Sequence, residues 1–69
     1  MRRILVTGAA TRMGGRIIQQ LERVPDTEVF AVDDLDPIER FTSRFERLDI
    51  DDLSFARYLL DLKPHTVVH

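Results

Sequence analysis

The chain has 69 residues, of which 43% are apolar and 32% are charged, a composition typical of an ordinary globular domain. Its net charge of −2 argues against nucleic acid or an acidic membrane surface as a partner, since both attract concentrated Lys and Arg. The chain has no cysteine, which excludes disulfides, thiolate chemistry and zinc bound through sulfur.

The N-terminal sequence and the lengths of the apolar segments bear on the cellular location of the protein. The apolar run in "MRRILV" is too short for a signal peptide, and no segment approaches the roughly 18 apolar residues of a membrane span. We therefore expect a cytoplasmic protein.

The chain stops within the apolar, β-branched run "PHTVVH". We expect it to be the front portion of a longer protein.

The first two elements are a strand and a helix. A continuous apolar run over 4–6 is typical of a strand buried on both faces of a parallel sheet. A helix is predicted over 13–23, followed by Pro25 and Asp26 as a stop signal. Apolar residues at helical spacing are expected to form its buried face: Met13, Ile17, Leu21 and Val24.

The remaining elements follow from shorter patterns. The run 29–32 predicts a second strand, "LDPIER" a loop, "RFERLDI" a third strand and "HTVVH" a fourth. The segment "DDLSFARYLLDLK" predicts a helix that Asp51 or Asp52 caps and Pro64 ends. We expect its buried face to hold Leu53, Ala56, Leu60 and Lys63, widened by Leu59.

The predicted order is therefore β-α-β-β-α-β. Strands that alternate with helices indicate right-handed crossovers and a parallel sheet. We see no linker, repeat or low-complexity tract. Residues 1–69 are predicted to form one α/β unit, the first half of a doubly wound parallel sheet.

The stretch "VTGAATRMGGRI" is a candidate phosphate-binding turn. The first amides of a helix lack partners inside the helix, and the helix dipole favours an anion there. Gly8 follows the strand and Gly14 opens the helix, but the usual middle glycine is missing, because Ala10 and Thr11 occupy its two common positions. By itself, the turn is equally well explained as a tight strand-to-helix connection.

An acidic residue at the end of the second strand adds weight to the phosphate-binding interpretation. Asp33 lies 25 residues after Gly8, near the position about 20 residues on where a carboxylate accepts hydrogen bonds from the ribose of a dinucleotide. Such a carboxylate repels a 2′-phosphate and so favours NAD over NADP. Alone, Asp33 reads as a solvated strand-end acid, but together with the glycine turn it favours dinucleotide binding.

Four segments in order, "ILVTGAATRMGGRI", "VFAVDDLDP", "RFERLDIDD" and "KPHTVVH", resemble the front of an extended short-chain dehydrogenase/reductase. This is the family of NAD-dependent epimerases and dehydratases that act on nucleotide sugars. Its Thr-Gly-x-x-Gly-x-x-Gly pattern is matched here by Thr7, Gly8 and Gly14. The resemblance implies a Rossmann-like fold, of which this chain is the N-terminal half of the dinucleotide-binding domain.

The resemblance also implies which residues bind the cofactor. Asp33 holds the adenosine ribose, with Asp34 and Leu35 beside it. Asp49 and Ile50 meet the adenine. The alternative for Asp49 is helix capping, a role that Asp51 and Asp52 can already supply. The pyrophosphate is lined by Gly8, Ala9, Arg12, Met13 and Gly14.

His69 falls where the family's fourth strand reaches the cofactor. Without the resemblance, His69 and His65 read as ordinary strand residues.

The chain departs from the family at its second glycine, which is Thr11 here. A side chain at this position could hinder the approach of the pyrophosphate, or its hydroxyl could donate to it. Arg12 either neutralises the diphosphate or is a solvated turn residue, and its charge keeps NADP as a less favoured alternative to NAD.

The family's catalytic Tyr-x-x-x-Lys pair has no counterpart here. The single tyrosine, Tyr58, is followed four residues later by Leu62, so we interpret Tyr58 as a packing or surface residue. We expect no catalytic residue and no metal ligand set in this chain.

The resulting prediction is the NAD-binding part of an epimerase, dehydratase or reductase that acts on a nucleotide sugar or related compound and forms a homodimer when full length. A non-catalytic module that senses a dinucleotide or serves as a scaffold is the alternative. A flavodoxin-like phosphate binder is a more remote third interpretation.

Overall fold

Strands and helices follow one another in the predicted order in the computed structural model, which describes all residues from Met1 to His69. The elements are β1 Arg2–Thr7, α1 Arg12–Leu21, β2 Thr27–Asp33, β3 Arg44–Arg47, α2 Leu53–Leu62 and β4 Thr66–Val68. The predicted α/β class is confirmed. Neither helix is long and apolar enough to cross a membrane.

All strand pairs are parallel, and the order across the sheet is β3-β2-β1-β4. The central strand β1 pairs with β2 on one side, where Ile4 lies opposite Val29, and with β4 on the other, where Ile4 lies opposite Thr66. Because the strands are parallel, their carboxyl ends meet at one edge of the sheet. Thr7, Asp33 and Arg47 all lie at that edge.

The alternation of side chains along β1 and β2 builds two cores. One core, on the face covered by α1, contains Ile4, Val6, Ala9, Ile18, Val29 and Ala31. The opposite face, covered by α2, contains Leu5, Phe30 and Val32. Successive residues of a strand point to opposite faces, so the continuous apolar runs that predicted these strands serve both layers. Apolar burial on both sides is the main stabilising term for this small chain.

The predicted buried face of α1 was wrong for Met13 and Val24 and correct for Leu21. The buried residues of α1 are Gly14, Gly15 and Ile18, with Leu21 partly buried against the same core. Met13 is 74% exposed and Val24 is 46% exposed. Gly14 lets the helix pack closely on the carbonyl oxygen of Gly8, and Gly15 lets it pack on Glu39 in the connection between β2 and β3. A pattern of large apolar residues does not register contacts made by residues without side chains.

The predicted buried face of α2 was also wrong for Leu53 and Leu60, and correct for Leu59. Leu53 and Leu60 are 85% and 73% exposed, whereas Phe55, Tyr58, Leu59 and Leu62 pack against the second core. This helix has two apolar stripes, and the sheet covers the one that contains the aromatic residues. The predicted ends are confirmed: the Asp52 side chain accepts from the amide of Ser54 at the start, and Lys63 is left-handed (φ 50°) directly before Pro64.

The connection between β2 and β3 contains no helix, and residues 37–43 lie along α1 as a strap. The Gln19 side-chain amide donates to the carbonyl oxygen of Arg40 at 2.7 Å. The Glu39 carboxylate lies 3.4 Å from the Arg16 guanidinium. These contacts, one helical turn apart, hold the strap against the helix in the absence of regular structure.

Glu22, just after the end of α1, fastens the far end of the strap. One of its carboxylate oxygens accepts from the amides of Thr42 at 2.9 Å and Ser43 at 2.6 Å, and from the Ser43 hydroxyl. Burial raises the pKa of Glu22, but the hydrogen bonds from Ser43 and Thr42 outweigh it and leave the pKa below its ordinary value. The carboxylate is therefore ionised at neutral pH and fixes the entry into β3.

Tyr58 packs in the second core, in agreement with its predicted packing role, and its hydroxyl oxygen is buried without a hydrogen-bond partner. Burial raises the pKa of this phenol, and the negative charge of Glu46 adds to the effect. Replacing Tyr58 with Phe removes the unpartnered hydroxyl, so we expect the free energy of unfolding to rise by about 1 kcal/mol. Urea denaturation measures this, with Tyr58→Ala as the control that loses several kcal/mol through a cavity, on the order of 3. A Phe variant less stable than the parent would contradict the prediction.

Candidate functional site

The glycine turn between β1 and α1 is closed by a direct approach of its two key glycines. Gly8 has a left-handed backbone (φ +68°), which a residue with a side chain adopts only under strain. A Cβ on Gly14 would lie 2.1 Å from the carbonyl oxygen of Gly8. Glycine is therefore required at 14 for close packing of the helix onto the turn, and at 8 for the backbone conformation.

Thr11 caps α1 and holds the turn together. Its hydroxyl donates to the carbonyl oxygen of Gly8 at 2.9 Å and accepts from the amide of Gly14 at 2.9 Å. The proton that the sequence suggested as a donor to pyrophosphate is thus used inside the turn. A threonine at the family's second glycine serves here as an N-cap residue, a role that its type favours.

Some backbone amides of the turn donate hydrogen bonds to other groups of the protein, and others do not. The amide of Ala9 donates to the carbonyl oxygen of Val32, and that of Ala10 donates to the Asp33 carboxylate. The amides of Arg12 and Met13, the first two of α1, donate to no group in the protein. These two amides at the positive end of the helix dipole are the ones available to an anion.

The side chains near the turn that were predicted to line the pyrophosphate do not all lie in one place. Ala9 is fully buried in the first core and contributes packing alone. The side chains of Arg12 and Met13 line an open groove of about 570 Å³ on the outer face of α1, together with Arg16, Ile17, Gln20 and Leu21. This groove is larger than the space at the sheet edge, but it lacks converging polar groups.

Asp33 joins β2 to the glycine turn. One carboxylate oxygen accepts from the amide of Ala10 at 2.8 Å, and the other accepts from the amide of Leu35 at 3.2 Å. Burial raises the pKa of Asp33, but hydrogen bonds from the Ala10 amide, Asp34 and the Leu35 amide outweigh it and lower the pKa overall. The group is therefore anionic at neutral pH. A carboxylate has about four acceptor sites, and these contacts do not use all of them, so acceptor capacity remains for a ligand.

Five of the residues predicted to bind the cofactor meet in one cleft at the carboxyl edge of the sheet. This carboxyl-edge cleft has a volume of about 230 Å³ and is lined by Gly8, Asp33, Asp34, Leu48, Asp49, Ile50 and Asp51. The sequence analysis missed Leu48 and Asp51. Leu48 lies there because its amide continues the ladder to the carbonyl oxygen of Asp33 at 2.9 Å, and the apolar end of the third predicted strand was the signal for it.

Asp49 also has a structural task. Its carboxylate accepts from the amide of Asp51 at 2.9 Å, and its carbonyl oxygen accepts from the amide of Asp52. These bonds shape the turn before α2, whereas Asp52 is the residue that caps the helix. The capping alternative weighed for Asp49 is therefore replaced by a turn-forming role, and Asp49 also lines the cleft.

The electrostatics of the cleft select for uncharged hydrogen-bond donors. Four carboxyl groups line it, from Asp33, Asp34, Asp49 and Asp51. A hydrogen bond with Asp33 raises the pKa of Asp34, as do its own slight burial and the negative charges of Asp33 and Asp49. Hydroxyl and amino groups suit this environment. A phosphate is better placed at the free amides of α1, outside the cleft.

The two histidines contact β1 at opposite ends of β4. Nδ1 of His69 lies 2.7 Å from the Thr7 hydroxyl, at the same edge as the glycine turn. His65 lies at the other edge, where its Nδ1 accepts from the amide of Arg3 at 2.9 Å. Of the two, His69 alone is near the candidate site.

Comparison of the chain with protein-family models, with curated proteins and with solved structures gave no match. The functional argument therefore depends on the geometry of the turn and the cleft.

Proposed function

We propose that this chain is the front half of a Rossmann-like, doubly wound domain that binds NAD. The strand order β3-β2-β1-β4 matches the first four strands of the dinucleotide-binding order 3-2-1-4-5-6. The two helices cover opposite faces of the sheet, as in that fold. Ligands of such sheets bind outside the carboxyl ends of the strands, where the cleft lies.

One observation carries the proposal: the carboxylate that ends β2 is bonded to the glycine turn that follows β1. The 2.8 Å contact from the Ala10 amide to Asp33 places an anionic acceptor beside Gly8. A glycine turn alone is a common connection, and an acid at a strand end is a common surface residue. Their direct contact brings together the two parts that a dinucleotide site needs, an acceptor for the ribose and a helix start for the pyrophosphate.

The rest of the site supplies complementary chemistry for the ADP portion. The remaining acceptor capacity of Asp33 suits the hydroxyls of the adenosine ribose, and repulsion by its charge disfavours a 2′-phosphate. Asp49 and Ile50 offer a carboxylate and an apolar contact for the amino group and ring of adenine. The free amides of Arg12 and Met13, with the exposed Arg12 guanidinium nearby, suit the pyrophosphate.

The activity that follows from the resemblance is an NAD-dependent epimerase, dehydratase or reductase for a nucleotide sugar or related compound. NAD would supply hydride transfer, and this chain would hold and orient its ADP portion. A tyrosine that acts as general base must reach its substrate, and the hydroxyl of Tyr58 is buried in the second core. In this proposal the reacting groups are provided outside residues 1–69.

A non-catalytic dinucleotide sensor or scaffold is the second candidate. The observation that favours it is Thr11, whose hydroxyl is bonded within the turn and whose side chain stands where a glycine would leave room for the pyrophosphate. The two candidates share the binding site and differ in what a bound cofactor does. Reduction of bound NAD by a nucleotide sugar in a protein that contains this chain would select the enzyme.

Isothermal calorimetry with NAD, ADP-ribose and nicotinamide mononucleotide tests the binding proposal. All the contacts above are to the ADP portion, so ADP-ribose is expected to bind within roughly threefold of NAD, a difference of under about 0.7 kcal/mol. The mononucleotide, which lacks adenosine, should show no heat of binding at matched concentrations. Binding of the mononucleotide with the affinity of NAD, or absence of NAD binding, would overturn the proposal.

A further inference from the structure

The carboxyl-edge cleft is smaller than a whole dinucleotide requires. Its volume of about 230 Å³ lies below the roughly 300–1,000 Å³ of a typical small-molecule pocket. Its walls come from the segments that end β1, β2 and β3, and β3 is the outer strand in the order of the proposed fold. The cleft is therefore formed within these three strands, and its size suits one nucleoside unit of a dinucleotide.

The groups that line the cleft match those of adenosine. Leu48 and Ile50 give it an apolar wall, which suits the flat face of a purine. Asp33 is a fixed acceptor, because two backbone amides hold its carboxylate, and its remaining acceptor capacity suits the ribose hydroxyls. The Asp49 carboxylate suits the amino group of the base. Adenosine offers these hydroxyl and amino donors and carries no charge.

The glycine turn beside the cleft has few groups left for a phosphate. Four of its amides donate hydrogen bonds within the protein, those of Ala9, Ala10, Thr11 and Gly14. A phosphate-binding turn acts through free amides that point at the ligand. Only the amides of Arg12 and Met13 remain, and they lie at the start of α1 and not in the cleft.

The charges around the cleft oppose a phosphate on the 5′ carbon of a bound adenosine. Four carboxyl groups line the cleft, those of Asp33, Asp34, Asp49 and Asp51, and no cationic side chain does. In a cleft this small, a 5′-phosphate stays within about 10 Å of these groups, the distance over which charges still interact at 0.1 M salt. This repulsion offsets the attraction of the two free amides, so the phosphates add little to the affinity.

We propose that the carboxyl-edge cleft binds the adenosine unit as a ligand in its own right. Adenosine, and adenosine compounds whose 5′ substituent is uncharged, bind about as tightly as ADP and compete with NAD for the cleft. Because this site is the one assigned to the ADP portion of NAD, its use by free adenosine rests on the proposed function.

Isothermal calorimetry with adenosine, AMP and ADP measures what each phosphate adds. We expect the three dissociation constants to agree within about fivefold, a difference of about 1 kcal/mol, and we expect adenosine to displace NAD. Adenosine that binds more weakly than this limit allows contradicts the proposal but leaves NAD binding intact. If neither NAD nor adenosine binds, the proposed function fails together with it.

The salt dependence of ADP binding distinguishes repulsion from attraction. Salt screens both, since the Debye length falls from about 10 Å at 0.1 M to about 3 Å at 1 M. Adenosine is uncharged and serves as the reference. Because the carboxylates offset the free amides, we expect the ratio of ADP affinity to adenosine affinity to stay level or rise with salt. A ratio that falls shows net attraction of the phosphates and contradicts the proposal.

An Asp51→Asn variant tests the charge of the cleft directly. Asparagine has the same shape without the charge, so we expect the ratio of ADP affinity to adenosine affinity to rise about two- to threefold. Asp61→Asn is the matched control, since Asp61 is exposed on α2 and does not line the cleft, and it should keep the ratio of the parent. Both ligands are measured on one protein, so an unfolded fraction cancels from the ratio. An Asp51→Asn protein with the ratio of the parent overturns the proposal.

Discussion

Replacing Asp33 with alanine is expected to weaken NAD binding about tenfold or more, measured by calorimetry on a protein that contains this chain. The carboxylate offers a charge-assisted hydrogen bond to the ribose, and bonds to charged groups contribute about 1.5–3 kcal/mol. The variant also loses the bond that ties the Ala10 amide to β2, so the turn that faces the pyrophosphate is less fixed. Both effects act in the same direction.

Asp36→Ala is the matched control for this change. It removes the same charge three residues further along the chain, but Asp36 is an exposed residue whose carboxylate lies 3.6 Å from the Arg47 guanidinium, and it does not line the cleft. Its NAD affinity should stay within about twofold of the parent, because exposed ion pairs contribute little. Urea denaturation of both variants separates a loss of affinity from a loss of folding. Unchanged affinity in a folded Asp33→Ala protein would contradict the assignment of Asp33 to the ribose.

A Gly14→Ala substitution should destabilise the protein by about 2–4 kcal/mol, although alanine is the better helix former. The added Cβ would lie 2.1 Å from the Gly8 carbonyl oxygen and 3.0 Å from the Thr11 hydroxyl oxygen. The obstacle is backbone, so relief requires that α1 move away from the turn and from its core contacts. Because small domains are only marginally stable, thermal and urea unfolding should both show a large shift.

The other two glycines serve as graded controls. A Cβ on Gly15 would meet the Cβ and Cγ of Glu39 at 2.6 and 2.9 Å. Since the strap can shift outward, we expect a loss of about 1 kcal/mol. Gly8→Ala meets no atom within 4 Å but keeps a φ of +68°, which costs roughly 1–2 kcal/mol. A Gly14→Ala protein as stable as either control would contradict the close-approach argument.

The order of the elements could be predicted from the sequence because each strand is a distinct apolar run and each helix ends at a recognisable signal. Continuous apolar runs do not say which residues face which helix, but the pairing of β1 with β2 and the alternation of Ile4 and Leu5 settle it in the structure. Asp33, by its position after the second run, was placed correctly at the edge of the sheet.

The helix faces could not be predicted for a physical reason. Periodicity identifies an apolar stripe, and each of these helices offers more than one. In α1 the contact with the sheet is made by Ile18 and Leu21, whereas Gly14 and Gly15 are buried against the glycine turn and the strap, where the closeness of the backbone replaces side-chain burial. In α2 the sheet covers the stripe with Phe55 and leaves Leu53 in solvent. Which stripe is covered depends on the tertiary arrangement.

Thr11 shows the limit of reasoning by resemblance. A family pattern places a glycine there, so the sequence suggested either an obstruction of the phosphate or a donor to it. The structure gives the hydroxyl two bonds inside the turn, a role that depends on the spacing from Gly8 to Gly14. Local capping chemistry, rather than the pattern, accounts for the residue.

The strap gives the carboxyl-edge cleft a dependence on residues that no ligand would touch. Gln19 and Glu22 grip the chain just before β3 begins, and β3 leads directly into Leu48, Asp49 and Ile50, one wall of the cleft. The position of that wall is therefore held from the far end of α1 as well as by the ladder to β2. Substitutions at Gln19 or Glu22 are therefore a route to a changed ligand preference that leaves the groups in the binding site unaltered.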